Sequence, residues 1–197
     1  MVPLRLPLLF TASLLTINVT CQKVRIGECP DVEPVLNFNA TAFSGLWYEN
    51  RKYVNRFTLG QKCVTTRISS NDDSVLVFDT LGYEKFFKPV RLRGFALQTY
   101  GPDVGAFSVG VPIAEDLSNP NLNVIDIDYD QYAILYSCRT KMGGLSHLEW
   151  LWVLSRTPYL TAPTLTAILL RLSHHGFRPL ALHPTEQNFC PDNIPGV

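Results

Sequence analysis

Phe43-Ser44-Gly45-Leu46-Trp47-Tyr48-Glu49 opens a stretch of chain in which short apolar runs alternate with turn residues all the way to Arg156. The runs are rich in Val, Ile, Thr, Tyr and Phe, and clusters of Gly, Asn, Asp and Pro separate them at short intervals, the pattern of an antiparallel all-β fold. Strands are expected over 45–54, 62–69, 74–80, 86–99, 105–111, 121–128, 131–138 and 148–156. Eight strands joined by short turns can close into an up-and-down barrel wide enough for one small ligand. Pro89 and Gly94 interrupt the fourth strand and read as edge or bend positions. One segment breaks the pattern: Thr161-Ala162-Pro163 supplies a cap and a first-turn proline, Leu165, Ile168, Leu169 and Leu172 recur at helical spacing, and Gly176 ends the run. This predicts an amphipathic helix packed on the outer wall of the barrel.

Two further stretches answer the first. Asp126-Ile127-Asp128-Tyr129-Asp130-Gln131-Tyr132 leads into a run ending at Cys138, and Trp152-Val153-Leu154-Ser155-Arg156-Thr157-Pro158 closes the β region. Taken in order, the three resemble the signatures of the lipocalin family, in the branch of apolipoprotein D and the insect bilin-binding, Lazarillo-like proteins. The resemblance implies an eight-stranded antiparallel up-and-down barrel, the lipocalin calyx, with one C-terminal α-helix outside. It gives Gly45, Trp47 and Arg156 the roles of a barrel-floor motif in which the guanidinium lies over the indole, a contact worth up to ~2 kcal/mol when desolvated. Asp128 and Tyr129 fit the second-signature turn, to which a receptor-docking role is sometimes assigned, while Ile127 stands where the family usually has Thr.

Residues 1–21, with Arg5 followed by an apolar stretch through Leu15, read as a secretory signal peptide, leaving 22–197 as a single domain. Cleavage falls after Thr20 or Cys21; a competing reading makes Cys21 a lipid-modified first residue. No later segment has enough consecutive apolar residues for a membrane span. Of 17 basic and 17 acidic residues, the leader removes only Arg5, so the mature net charge is near −1 and no basic field exists for nucleic acid. Cys29, Cys63, Cys138 and Cys190 then remain, and an even count in a secreted chain argues for two disulfides with three possible connectivities. The resemblance implies Cys29–Cys138 and Cys63–Cys190. Asn39-Ala40-Thr41 is a glycosylation sequon at Asn39.

Period-two alternation puts Trp152, Leu154 and Arg156 on one face of the last strand. With Arg156 at the closed end, Leu154 and Trp152 point into the cavity, Trp152 nearer the mouth and Trp150 at the rim. The resemblance turns Ala133, Leu135, Leu122, Val124 and Ile68 inward as well, which completes the expected ligand-binding set. The plainer alternative is a filled core, because a packed barrel and a calyx share one alternation pattern. No catalytic residue is expected. His147, His174, His175 and His183 show no metal-ligand spacing, and Gly105-Ala106-Phe107-Ser108-Val109-Gly110 is one residue too long for a nucleophile elbow. Among expected inward positions only Asp126 carries an acid, and its facing is open.

The function implied is a secreted, extracellular carrier of a small hydrophobic ligand: a fatty acid, steroid, retinoid, carotenoid or bile pigment. No cofactor is required, although a pigment or lipid can travel with the protein. The alternatives are a lipocalin enzyme of isomerase or de-epoxidase type, and a protein whose surface engages a cell-surface receptor.

Overall fold

The computed structural model describes residues 23–55, 57–72, 75–110 and 121–191; the expected signal peptide lies outside them. Among the described residues ten strands form one antiparallel sheet. Eight of them run in sequence order around the barrel: β2 (Gly45–Tyr53), β3 (Lys62–Asp72), β4 (Val75–Tyr83), β5 (Pro89–Gln98), β6 (Ala106–Gly110), β7 (Leu122–Asp128), β8 (Tyr132–Lys141) and β9 (Ser146–Ser155). Strand β9 returns to β2, with Tyr48 opposite Ser155 and Lys52 opposite Trp152, and this pairing closes the barrel. All eight expected strands are present, their ends displaced by at most three residues. The expected start at 86 moves to Pro89 because 85–87 form a tight 3-10 turn in which Phe86 and Phe87 both take positive φ.

Two short strands add to the eight. β1 (Lys23–Ile26) lies along the mouth-end half of β9, and β10 (Leu182–Pro184) lies along β2. Neither is long enough to declare itself by periodicity; each is defined by the free edge that it covers.

Alternation then gives the barrel two apolar faces. The inner one gathers Phe38, Phe43, Trp47, Ile68, Leu76, Phe107 and the facing residues of β7 to β9. The outer one, Tyr132, Ile134, Tyr136, Leu151 and Val153, is covered by helix α2 (Ala162–His174) through Ile168 and Leu172, and by Phe177 and Leu182 of the tail. Helix α2 begins as expected. Thr161 Oγ1 accepts the Thr164 N–H, Ala162 and Pro163 follow, and Gly176 at φ +78° reverses the chain where an L side chain would be strained.

The N-terminal segment and the C-terminal tail are each strapped to the barrel. Disulfides join Cys29 to Cys138 and Cys63 to Cys190, with sequence separations of 109 and 127. In the chain-entropy model loops of that size are worth up to ~4 to 5 kcal/mol each, an upper bound because the two loops overlap.

Asp126 projects outward: it lies opposite Ile134 of the outer cluster and accepts hydrogen bonds from the Tyr132 hydroxyl (3.0 Å) and Arg171 Nη1 (2.7 Å). Burial, then the Asp126 charge, pushes the Tyr132 phenol up to about 12. The folded state therefore keeps this proton while the unfolded chain releases it near pH 10, so stability present below pH 10 is lost as pH rises towards 12. We expect Tyr132→Phe to make the melting temperature fall less steeply between pH 10 and 12, measured by circular dichroism. An alkaline limb identical to wild type would contradict this assignment.

Candidate ligand cavity

The closed end is built from three pieces of chain that sequence separates widely. Asn39 caps helix α1 (Ala40–Phe43), its Oδ1 accepting the Ala42 N–H at 2.9 Å, and the helix sets Phe43 against Trp47 with ring centroids 5.6 Å apart. The Trp47 indole N–H donates to the Phe43 carbonyl at 2.8 Å, so this fully buried ring has no unmet polar group. Arg156 stacks its guanidinium carbon 3.6 Å from the Trp47 ring centre. The same guanidinium donates to three carbonyls: Nε to Tyr129 (2.8 Å), Nη1 to Leu46 (3.1 Å) and Nη2 to Ala42 (2.7 Å). Burial pulls its pKa down from the ordinary value, yet a guanidinium that starts above 12 remains a cation at neutral pH. Gly45, at φ +108°, passes so close that a Cβ there would stand 3.1 Å from Arg156 Nη1. The three floor residues thus meet as the sequence motif requires.

The second-signature turn serves this floor. Asp128 accepts hydrogen bonds from the Asp130 N–H and the Gln131 side chain, holding the turn, and the Tyr129 hydroxyl accepts the Asn39 N–H at 2.8 Å. Tyr129 therefore joins the helix cap to the turn, while its carbonyl takes Arg156. Ile127 lies opposite Ala133 and packs on the inner cluster, so the position lacking a hydroxyl contributes apolar surface instead.

Above the floor, the expected set comes together on one inner wall. Ile68, Leu122, Val124, Ala133, Leu135 and Leu154 are buried in one cluster, with Trp152 partly buried against it. Register accounts for the order: Ala133 faces Leu154, Leu135 faces Trp152, and Ser137 faces Trp150 towards the mouth. Leu76, Phe78, Ala96, Phe107 and Val109 complete the wall. Alternation within β4, β5 and β6 could have found them, given one residue of known facing on each strand.

The polar part of the wall was not expected. Glu49 lies opposite Leu154 and Lys52 opposite Trp152, so both project to the inner side. Glu49 follows from Trp47 by the two-residue period, whereas Lys52 joins it only because the pairing slips between Glu49 and Arg51. Lys52 Nζ donates to Glu49 Oε1 (2.5 Å), the Thr58 carbonyl (2.8 Å) and Thr58 Oγ1 (2.6 Å). Glu49 also accepts from the hydroxyls of Thr58 (3.1 Å) and Thr185 (2.7 Å). Both ions are nearly excluded from solvent, and every ammonium proton is used. Gln187 finishes the closure, its Nε2 donating to Glu49 O and Val64 O at 3.0 Å each, which bridges β2 and β3 beyond the end of their ladder. The inner wall thus holds an acid and a base, contrary to the expectation of none beyond Asp126, and Asp126 itself faces outward. Among the described residues no group of three His, Cys, Asp or Glu side chains is gathered to hold a metal, and no helix is long and apolar enough to cross a membrane.

A barrel with this floor, helix and strap has relatives. Residues 97–178 match the model of the lipocalin / cytosolic fatty-acid binding protein family. Apolipoprotein D of Mus musculus is 28% identical over 193 residues, covering 94% of this chain and 97% of the relative. The bilin-binding protein of Pieris brassicae is 28% identical over 144 residues, 72% of this chain and 74% of the relative. Among solved structures, H1 crustacyanin of Homarus americanus superposes with a TM-score of 0.68 at 21% identity, covering 84% of this chain and 91% of that one. In its Gly45-Trp47-Arg156 floor, outer helix and two disulfides, the chain is similar to the lipocalin family, whose model its residues 97–178 match.

Proposed function

We propose that the protein is a secreted carrier which holds one small hydrophobic molecule, a fatty acid, steroid, retinoid, carotenoid or bile pigment, inside the barrel. The observation that carries this reading is that Trp152, Phe78 and Val109 face inward and pack on the core cluster, yet keep part of their surface exposed. A filled core leaves inward side chains no surface to offer; a calyx does. Removal of that surface from water supplies affinity at ~25 cal/mol per Å² of apolar area, and the closed floor makes the site preformed. Relatives named for binding bilin support the ligand class. The Glu49–Lys52 pair does not favour an enzyme, because its protons and lone pairs are already engaged with Thr58 and Thr185. Secretion rests on the leader over 1–21 and suits the two disulfides. A glycan on Asn39 is compatible with the floor, since the helix cap uses Oδ1 and leaves Nδ2 for attachment.

The absorbance spectrum of the protein purified from its secretion medium tests for a pigment, with visible bands expected only if one is bound. For colourless ligands, titration with a long-chain fatty acid, a retinoid and a tetrapyrrole is expected to quench Trp152. Trp152→Ala is expected to weaken the bound class by about fivefold or more, the usual cost of losing a large aromatic wall. Equal affinity of wild type and Trp152→Ala for all three classes would remove the main support for the calyx.

A further inference from the structure

Strands alternate in direction around the barrel and β2 leaves the floor at Gly45, so the turns after β2, β4 and β8 all lie at the open end. These turns carry large apolar side chains into water. Leu59, Phe86, Met142 and Leu145 are each half exposed or more, Phe86 at 98% and Met142 at 76%; the exposed Ile26 joins them, its neighbour Gly27 donating to the Leu145 carbonyl at 3.0 Å. One exposed apolar residue needs no explanation, but several gathered at one end of a molecule mark an interaction surface. Phe86, Phe87 and Met142 also hold positive φ, a conformation that bulky side chains adopt only at a cost. For Phe86 and Met142 that cost is not offset by burial within the molecule. Phe87 is held back by Lys62, whose Nζ lies 4.0 Å from its ring centre, and this leaves Phe86 outermost.

The charges of the rim narrow what can cover it. Segments 57–62, 84–88 and 139–145 hold five basic residues, Lys62, Lys85, Lys88, Arg139 and Lys141, against one acid, Glu84. Glu28 beside Gly144 and Glu186 beside Cys63 reduce this excess without cancelling it, whereas the chain as a whole is neutral. A second copy meeting this one mouth to mouth would set two positive rims against each other, which is unfavourable. An anionic lipid surface meets both features at once: aromatic and apolar tips settle at the headgroup level, and each basic side chain near the surface adds attraction. Because a bilayer is deformable, it can also reach tips carried on separate turns.

We propose that the mouth rim docks on the surface of an anionic lipid bilayer, with Phe86 and Met142 entering the headgroup region and Lys62, Lys85, Lys88 and Lys141 meeting the lipid charges. Docking needs no cargo, so it stands or falls apart from the carrier reading; combined with that reading, it sets the open end against the phase in which apolar molecules dissolve. The mature protein is expected to sediment with vesicles of phosphatidylcholine and phosphatidylserine in equal amounts, and to bind pure phosphatidylcholine about tenfold more weakly. Added salt should narrow that difference. Phe86→Asn places a residue that tolerates positive φ at the tip, so the fold is kept, and should weaken binding to the mixed vesicles by about tenfold. Lys85→Gln should weaken it by about fivefold while leaving binding to pure phosphatidylcholine unchanged. Orientation is read separately: the emission of Phe86→Trp should move to shorter wavelength when mixed vesicles are added, and that of Leu170→Trp, exposed on the outer helix, should not. Equal binding of wild type and Phe86→Asn, no preference for the anionic vesicles, or an equal emission shift in Leu170→Trp would overturn the proposal. So would a dimer in sedimentation equilibrium that Phe86→Asn dissolves, since a second copy would then be what covers the rim.

Discussion

Lys52→Met is expected to lower the melting temperature by about 6 to 20 °C. Removing one partner of a buried pair costs ~3 to 5 kcal/mol, because the remaining charge is stranded, and each kcal/mol moves a domain of this size by roughly 2 to 4 °C. Here the stranded group is Glu49, nearly solvent-free and left with the hydroxyls of Thr58 and Thr185. Glu49→Gln should also destabilise, by leaving the Lys52 ammonium among neutral acceptors. The double variant Glu49→Gln/Lys52→Met should recover much of the loss, since an apolar and an amide side chain leave no uncompensated charge. The informative quantity is the coupling energy of the cycle, expected at about 2 kcal/mol between directly bonded groups. Strictly additive single effects, measured by urea denaturation, would mean that the pair does not act as a unit. Because Lys52 also holds the Thr58 carbonyl, the single variant should free the segment around Thr58 as well, read as faster hydrogen exchange there.

Arg156→Ala is expected to cost about 3 kcal/mol, with a matching fall in melting temperature. The guanidinium supplies three hydrogen bonds to the carbonyls of Tyr129, Leu46 and Ala42 and covers the Trp47 ring. Charged hydrogen bonds carry ~1.5 to 3 kcal/mol each, but water entering the vacated space restores part of that sum. Arg156→Lys should recover little, because an ammonium has neither the fork that meets three carbonyls nor the flat face that stacks on indole. Gly45→Ala provides a second route to the same floor: its positive φ and the 3.1 Å approach to Arg156 Nη1 make any Cβ costly. An unchanged melting temperature in Arg156→Ala would contradict the closed floor. The effect on ligand affinity is expected to be smaller than on stability, since Arg156 lies beneath Trp47 and the ligand wall lies above it.

The two sites differ in how they were written in the chain. The floor was legible through the family resemblance, which rests on a glycine two residues before a tryptophan at one end, an arginine at the other, and between them the turn whose Tyr129 bonds both. The inner wall was legible because alternation carries facing from one known residue to the next, from Arg156 through Leu154 to Trp152. The polar lock was not. Lys52 faces inward only through the slip in pairing at Glu49 and Arg51, and Thr185 and Gln187 arrive from more than 130 positions away along the chain to meet Glu49. Strands β1 and β10 escaped for a related reason, being four and three residues long.

The sequence by itself determined the eight strands, the outer helix and the two faces of the last strand, while the family resemblance supplied the cysteine pairs and the inward positions Ile68, Leu122, Val124, Ala133 and Leu135. These depend on local periodicity and on motifs, both of which survive when the chain is read in one dimension. Tertiary structure alone decided that a bulge turns a lysine into the barrel, that the tail supplies the Thr185 hydroxyl to the Glu49 carboxylate and the Gln187 amide to the backbone beside it, and that Asp126 turns outward to Arg171. Each of these depends on which groups are excluded from water together, and burial of a polar atom is a property of the packed chain, with no counterpart in the spacing of its residues.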